Sequence, residues 1–227
     1  MEFKRARKDE HIEQRKDEIL NIARELCREN GVMAWSFNAL GRRTSISKSN
    51  LYRYFKSREE VLMQLFALEI EVFVLGFDRR MDKGPYDIPA FSRAIAREYH
   101  CCPFLCELMS VAPAILEHHV DVTGIIPIKR SIMELAQIHG ATVQRSLDWM
   151  TEEMAAWASQ TIGVYAGGLW PVSHPSSAMV ALGQMPEFKC MKVDFETQMV
   201  RFVTTLLRGM KVSVGKGGTP WDSPSDR

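Results

Sequence analysis

The sequence predicts an all-α chain in two parts, a small N-terminal unit of three helices followed by a larger helical one. Three observations carry that reading. Apolar residues recur at helical spacing along most of the 227 residues, no convincing alternating strand pattern interrupts them, and 46% of the residues are hydrophobic, enough for a substantial core.

The first helix is expected over Asp9 to Asn30, where Ile12, Ile19, Ile22, Ala23 and Leu26 line one face among charges and Gly31 offers a left-handed stop. Ser36 is a natural N-cap for a two-turn helix over Phe37 to Arg43, and Ser47 for another over Lys48 to Phe55. The four residues between them, Thr44 to Ser47, have the length of a helix-turn-helix joint, with Ile46 able to plug the core beneath the turn. A long helix then starts at Ser57-Arg58-Glu59-Glu60, its carboxylates placed where the helix dipole favours them, and runs through Phe77.

Beyond Lys83-Gly84-Pro85, Asp87 caps a segment to Tyr99, and Pro103 opens a helix to His118 that Pro113 kinks. Further helices are expected over Asp121 to His139, Ser146 to Ala166 and Asp194 to Met210. Gly140 and the Gly-, Pro- and Ser-rich stretch from Gly167 to Pro186 separate them. The chain thus divides into residues 1–56, residues 57–213 and a tail, 214–227, whose lack of apolar periodicity reads as disorder.

The net charge of +1 conceals an asymmetry. Residues 1–58 carry 14 Lys/Arg against 8 Asp/Glu, leaving 15 against 20 for the remainder, and no acidic residue lies between Asn30 and Arg58. A polyanion would meet that segment first. The stretch Ser47-Lys48-Ser49-Asn50-Leu51-Tyr52-Arg53-Tyr54-Phe55 has the make-up of a helix that enters a major groove. Leu51 and Phe55, at i and i+4, turn to the core and leave short polar, amide and cationic side chains for bases and phosphates. Asn38, Arg42 and Arg43 on the preceding helix would approach the backbone, with Lys56 and Arg58 at the start of the next.

Over its whole length, SFNALGRRTSISKSNLYRYFKSREEVL resembles the DNA-binding signature of the tetracycline-repressor (TetR) family, from about Arg15 to Leu65. Gly41 and Thr44 stand where that pattern commonly has Ala, and Ser45 where its turn usually has Gly. Ser45 would therefore be strained at positive φ. The resemblance implies phosphate contacts from Lys48, Tyr52, Tyr54 and Lys56, and base-edge contacts from Ser49, Asn50 and Arg53. With the caps and flanking residues, the expected DNA-binding set is Ser36, Asn38, Arg42, Arg43, Ser47, Lys48, Ser49, Asn50, Tyr52, Arg53, Tyr54 and Lys56. It further implies a two-fold dimer on a pseudo-palindromic operator, and a repressor released by a small effector bound in the C-terminal helices.

For that effector the sequence offers Phe104, Leu108, Met109, Met133, Trp149, Met154, Trp157, Tyr165 and Trp170 as pocket lining, although aromatic and Met residues at helical spacing equally make a core. For the dimer it offers the small residues Ala155, Ala156, Ser159, Gly163 and Ala166, with Phe202 and Leu206 on the last helix; the same small residues would also suit packing inside one subunit. The second reading of the chain is a metal or redox sensor using Cys101, Cys102 and Cys106, and the third a helical enzyme pairing Cys106 with His118. Neither a P-loop nor GxSxG, HExxH or a dinucleotide fingerprint occurs, so the expectation is no catalytic residue, no metal and no cofactor. Five cysteines, an odd number, argue against a disulfide framework. With no apolar leader and no run near the roughly 20 residues that span a bilayer, the expected location is cytoplasmic, without a membrane partner.

Overall fold

A computed structural model describes residues 2–215, with side chains for residues 11–214. Ten α-helices account for most of it: α1 (Glu2–Asn30), α2 (Phe37–Arg43), α3 (Lys48–Leu51), α4 (Arg58–Arg80), α5 (Ile88–His100), α6 (Pro103–Val111), α7 (Val122–Ser146), α8 (Glu152–Ser173), α9 (Ser177–Leu182) and α10 (Phe195–Gly215). No strand occurs among the described residues. From residue 216 on, the expected tail lies outside them.

Two compact units divide the chain, the first formed by residues up to Glu69 with Val111–Ile132, the second by Ile70–Ser110 and the residues from Met133 on. The division therefore falls beyond residue 57, because the first turns of α4 are bound into the N-terminal unit. Val61, Leu62 and Leu65 are fully buried, and the Arg58 guanidinium donates to the Met33 and Trp35 carbonyls at 3.0 and 3.1 Å. In the same unit Arg24 holds Glu69 at 2.9 Å. Its core also includes Ile19, Ala23, Leu40 and Leu51, all at 0% exposure.

In the second unit, α10 packs chiefly on α5 and α8. The reason is its spacing: Phe195, Met199, Val203, Leu207 and Met210 are buried at intervals of three or four, and α5 answers with Phe91, Ile95, Ala96 and Tyr99. Burying each such side chain contributes about 1.5–3 kcal/mol.

Several boundaries differ from the sequence reading: α1 already begins at Glu2, α8 runs on to Ser173, and α9 forms within the stretch expected to separate helices. Helix α7 passes through Gly140 to Ser146, since Gly140 serves close packing rather than termination: a Cβ there would lie 3.6 Å from Ala156 Cα on α8. The break comes instead before Thr151, whose hydroxyl accepts from the Met154 amide at 3.2 Å and starts α8. The expected kink at Pro113 is a full change of winding, a π turn over Ala112–Leu116 and a 3-10 turn over Glu117–His119.

Candidate nucleic-acid interface

Local hydrogen bonding builds the reading head. Ser36 Oγ accepts from the Ala39 amide at 3.2 Å and starts α2, and Ser47 Oγ accepts from the Asn50 amide at 3.3 Å and starts α3. Between them, Thr44 is buried with its hydroxyl donating to the Leu40 carbonyl at 2.9 Å, so its polarity costs nothing. Ser45 takes φ 54°, the left-handed conformation expected of this turn, at about 1 kcal/mol of strain for a residue with a Cβ. The turn also closes tightly on α2: the Ile46 amide donates to the Gly41 carbonyl at 3.1 Å, and a Cβ at Gly41 would come within 3.2 Å of the Ile46 oxygen. Gly at position 41 is thus explained by the turn that follows it.

The recognition segment is shorter as an α-helix than expected. After Leu51 the chain tightens, with Arg53 and Tyr54 amides donating three residues back, to the Asn50 and Leu51 carbonyls at 3.1 and 3.0 Å. Its faces are nevertheless those the spacing predicted. Leu51 and Phe55 are 0% and 3% exposed, whereas Lys48, Ser49, Asn50, Tyr52 and Arg53 are all exposed and Tyr54 half-buried. Tyr52 is held by its ring, 5.2 Å from that of Phe37 and with Lys48 Nζ 5.9 Å above it. Asn38 and Arg42 are exposed on α2.

Two of the expected phosphate ligands are already engaged by carboxylates. Arg43 grips Glu29 through both guanidinium nitrogens at 2.8 and 2.6 Å, and this hydrogen bonding holds the Glu29 carboxyl below its usual range. Lys56 Nζ donates to Asp121 Oδ2 at 2.7 Å and to Thr123 Oγ1 at 3.2 Å. Asp121 also accepts from Thr123 Oγ1 and the Gly124 amide, both at 2.7 Å, which caps the start of α7. Lys56 first, then these neighbours, hold the Asp121 carboxyl far below the ordinary carboxylate range. A partner 65 residues away leaves no trace in the local sequence.

An Asp121→Asn variant keeps the cap and removes the competing charge. Duplex binding by that variant is expected to strengthen a few-fold, with a steeper salt dependence by about one counterion per subunit, in a titration of affinity against salt.

Residues 19–65 match the model for bacterial regulatory proteins of the tetR family, and residues 68–214 the model for the tetracyclin repressor-like C-terminal domain. The chain belongs to the TetR family of transcriptional regulators. It is thus a DNA-binding regulator in a family of non-enzymes. Among solved structures it resembles a TetR/AcrR-family regulator from Thermobifida fusca, with a TM-score of 0.50 at 18% identity over 84% of this chain and 97% of that one. It also resembles the TetR-family regulator PfmR of Thermus thermophilus, with a TM-score of 0.52 at 18% identity over the same shares, 84% and 97%. A third is FadR of Bacillus subtilis, solved in complex with stearoyl-CoA, with a TM-score of 0.50 at 11% identity over 82% and 96%. No curated protein matches the chain significantly. No single helix among the described residues is long and apolar enough to cross a membrane.

Outside the TetR head, the expected pocket residues scatter. Leu108, Met154 and Trp170 are buried and Phe104, Met109, Trp149 and Tyr165 partly so, but Met133 is 65% and Trp157 41% exposed, turned out of their own unit. Trp149 lies under Lys211 Nζ at 5.6 Å, and Tyr165 stacks on Phe202 at 3.8 Å.

The small-residue stripe needs correction as a dimer surface. Ala155, Ser159, Gly163 and Ala166 are buried inside their own subunit, and a Cβ at Gly163 would meet Met109 Cε and Tyr99 Oη at 3.4 Å. At Gly163 the close neighbours are thus α5 and α6 of the same chain. Ala156 alone of the five is exposed, with Phe202 and Leu206 half-buried on α10.

The thiols do not gather into a metal site. Cys106 is buried, donates to the Tyr99 carbonyl at 3.4 Å and has its thiol pushed up to about 12 by burial, the reverse of what a thiolate ligand needs. Among the described residues no three His, Cys, Asp or Glu side chains converge on a common point. Arg15, which the sequence reading left out of the interface, faces the helix-turn-helix joint.

Proposed function

We propose that the protein is a cytoplasmic repressor that binds a pseudo-palindromic operator as a homodimer and leaves it when a small, largely apolar effector occupies the second unit. The observation that carries the DNA side is the sorting of one short segment, with Leu51 and Phe55 sealed inside and Lys48, Ser49, Asn50, Tyr52 and Arg53 all left to solvent. Asn50 and Ser49 read base edges; Lys48, Tyr52, Tyr54 and the flanking Arg42 and Asn38 hold the backbone. Affinity for duplexes selected from a random pool should fall steeply with salt, and selected should exceed scrambled sequence by at least a thousandfold. Equal, weak binding of both would overturn the reading.

A single head makes few phosphate contacts, so two are required. The exposed face of α8 formed by Trp157, Gln160, Val164, Gly168 and Val172, with Phe202, Thr205, Leu206 and Gly209 of α10, suits a partner copy. At both Gly168 and Gly209 a Cβ would meet nothing within 4 Å, leaving room for close approach. Val164→Glu, at a side chain 72% exposed in one subunit, should therefore shift sedimentation from dimer to monomer without lowering the monomer's helix content. Gly163→Val should instead damage the fold itself.

An effector acts only through unequal affinity for the two conformations. Long acyl chains are the apolar class to test first, presented as the CoA thioester with its polar, anionic head left outside the apolar site, because FadR of like fold was solved with stearoyl-CoA. Release of a bound duplex on adding it would support the reading, and stabilisation of the complex would contradict it.

A further inference from the structure

Beside the helix-turn-helix joint lies an open cup of about 410 Å³, lined by Arg15, Ser45, Ile46, Ser47, Asn50, Arg53 and Tyr54. Six of the seven come from the joint and the recognition segment, but Arg15 comes from α1, four residues before the span that matches the family's DNA-binding model begins. The lining is chemically one-sided. It offers two guanidinium groups, three hydroxyls and one amide, and no carboxylate. Guanidinium-bearing and hydroxyl-bearing residues lining one concave surface suit the several acceptor oxygens of a phosphodiester. Its lining includes Ser45, the one non-Gly residue at positive φ among the described residues, so the chain bears strain where this cup is formed.

We propose that Arg15 is a DNA-binding residue: with Arg53 it clamps one backbone phosphate of the duplex in this cup. The proposal rests on the DNA reading above and adds to it a contact from outside the helix-turn-helix. It also gives Arg53 a backbone partner where the family resemblance pointed it toward base edges. A clamp anchored on both α1 and the recognition segment fixes the angle at which that segment enters the groove, while the phosphate itself carries no sequence information. Arg15 is held in the free protein by Glu18, one turn further along α1, with 43% of its own side chain exposed. Binding exchanges that carboxylate for a phosphate.

The test uses full-length protein and two duplexes of equal length, one selected from a random pool by the wild type and one scrambled, each titrated across a salt series. Arg15→Gln should weaken both duplexes alike, about fivefold per subunit, and lower the salt slope by about one per subunit. Glu18→Gln should strengthen both. Equal melting temperatures would establish that neither change acts through the fold, and Arg15→Lys should recover part of the slope. If Arg15→Gln binds within twofold of wild type with an unchanged slope, the proposal is wrong, and so it is if that variant loses only a stabilisation by inorganic phosphate. A wild type that binds neither duplex would instead remove the DNA reading beneath it.

Discussion

Alanine at Lys48 and Tyr52 together will weaken operator binding by about a hundredfold or more. Each subunit would lose one cation at the start of α3 and one hydroxyl at its end, and a two-fold complex counts each loss twice. The two side chains also support each other, since the Lys48 ammonium lies over the Tyr52 ring, itself set against Phe37. Removing both therefore clears a preformed surface. The fold should survive, because Tyr52 is 48% exposed and Lys48 caps nothing in the core. Leu51→Ala makes the contrast: that side chain is fully buried, and its truncation should cost about 2–5 kcal/mol and unfold the head. Affinity and melting temperature, measured on both variants, separate a lost contact from a lost domain.

Acid will destabilise the second unit through His139. This imidazole is buried at 7% exposure, ring to edge with Phe73 and Phe77 at 5.5 Å each, and its Nε2 has no hydrogen-bond partner. Burial lowers its pKa from 6.5 to about 4, so the folded state resists a proton that the unfolded chain accepts. The sign follows: the contribution is complete above pH 6.5 and drains away as pH falls toward 4, by about 2 kcal/mol at pH 5 and about 3 kcal/mol at pH 4. Urea midpoints of the wild type should fall accordingly. In His139→Leu that part of the pH dependence should vanish, and stability at neutral pH should rise by about 1–2 kcal/mol as an unsatisfied polar atom is removed. A variant with the wild-type pH profile would contradict this account of the core.

What the sequence made legible is what short-range chemistry decides. Ser36 and Ser47 cap the helices they were expected to cap, and the i, i+4 pair Leu51 and Phe55 is buried. Gly140 shows where such reading stops. A glycine permits both a helix end and a close helix contact, and only the presence of Ala156 across from it selects the second. The small residues of α8 carry the same ambiguity: their size announces a near neighbour, and whether that neighbour is Met109 of the same chain or a helix of another is a property of the tertiary fold. Charges are the least legible. Arg43 and Lys56 look free in a stretch without acids, yet Glu29 lies one helix earlier and Asp121 far along the chain. Arg15 reads as one more charge on a solvated helix until the joint is folded against it.

The claim on which the rest depends is that the segment after Ser47 lies in the major groove of a duplex. Methylation protection of guanine N7, an atom exposed only in that groove, tests it directly on a duplex selected by the full-length protein. The account predicts two protected patches, symmetric about the centre of the site and lost when Ser49 and Asn50 are replaced by Ala. Tight binding that leaves every N7 open to methylation would contradict it.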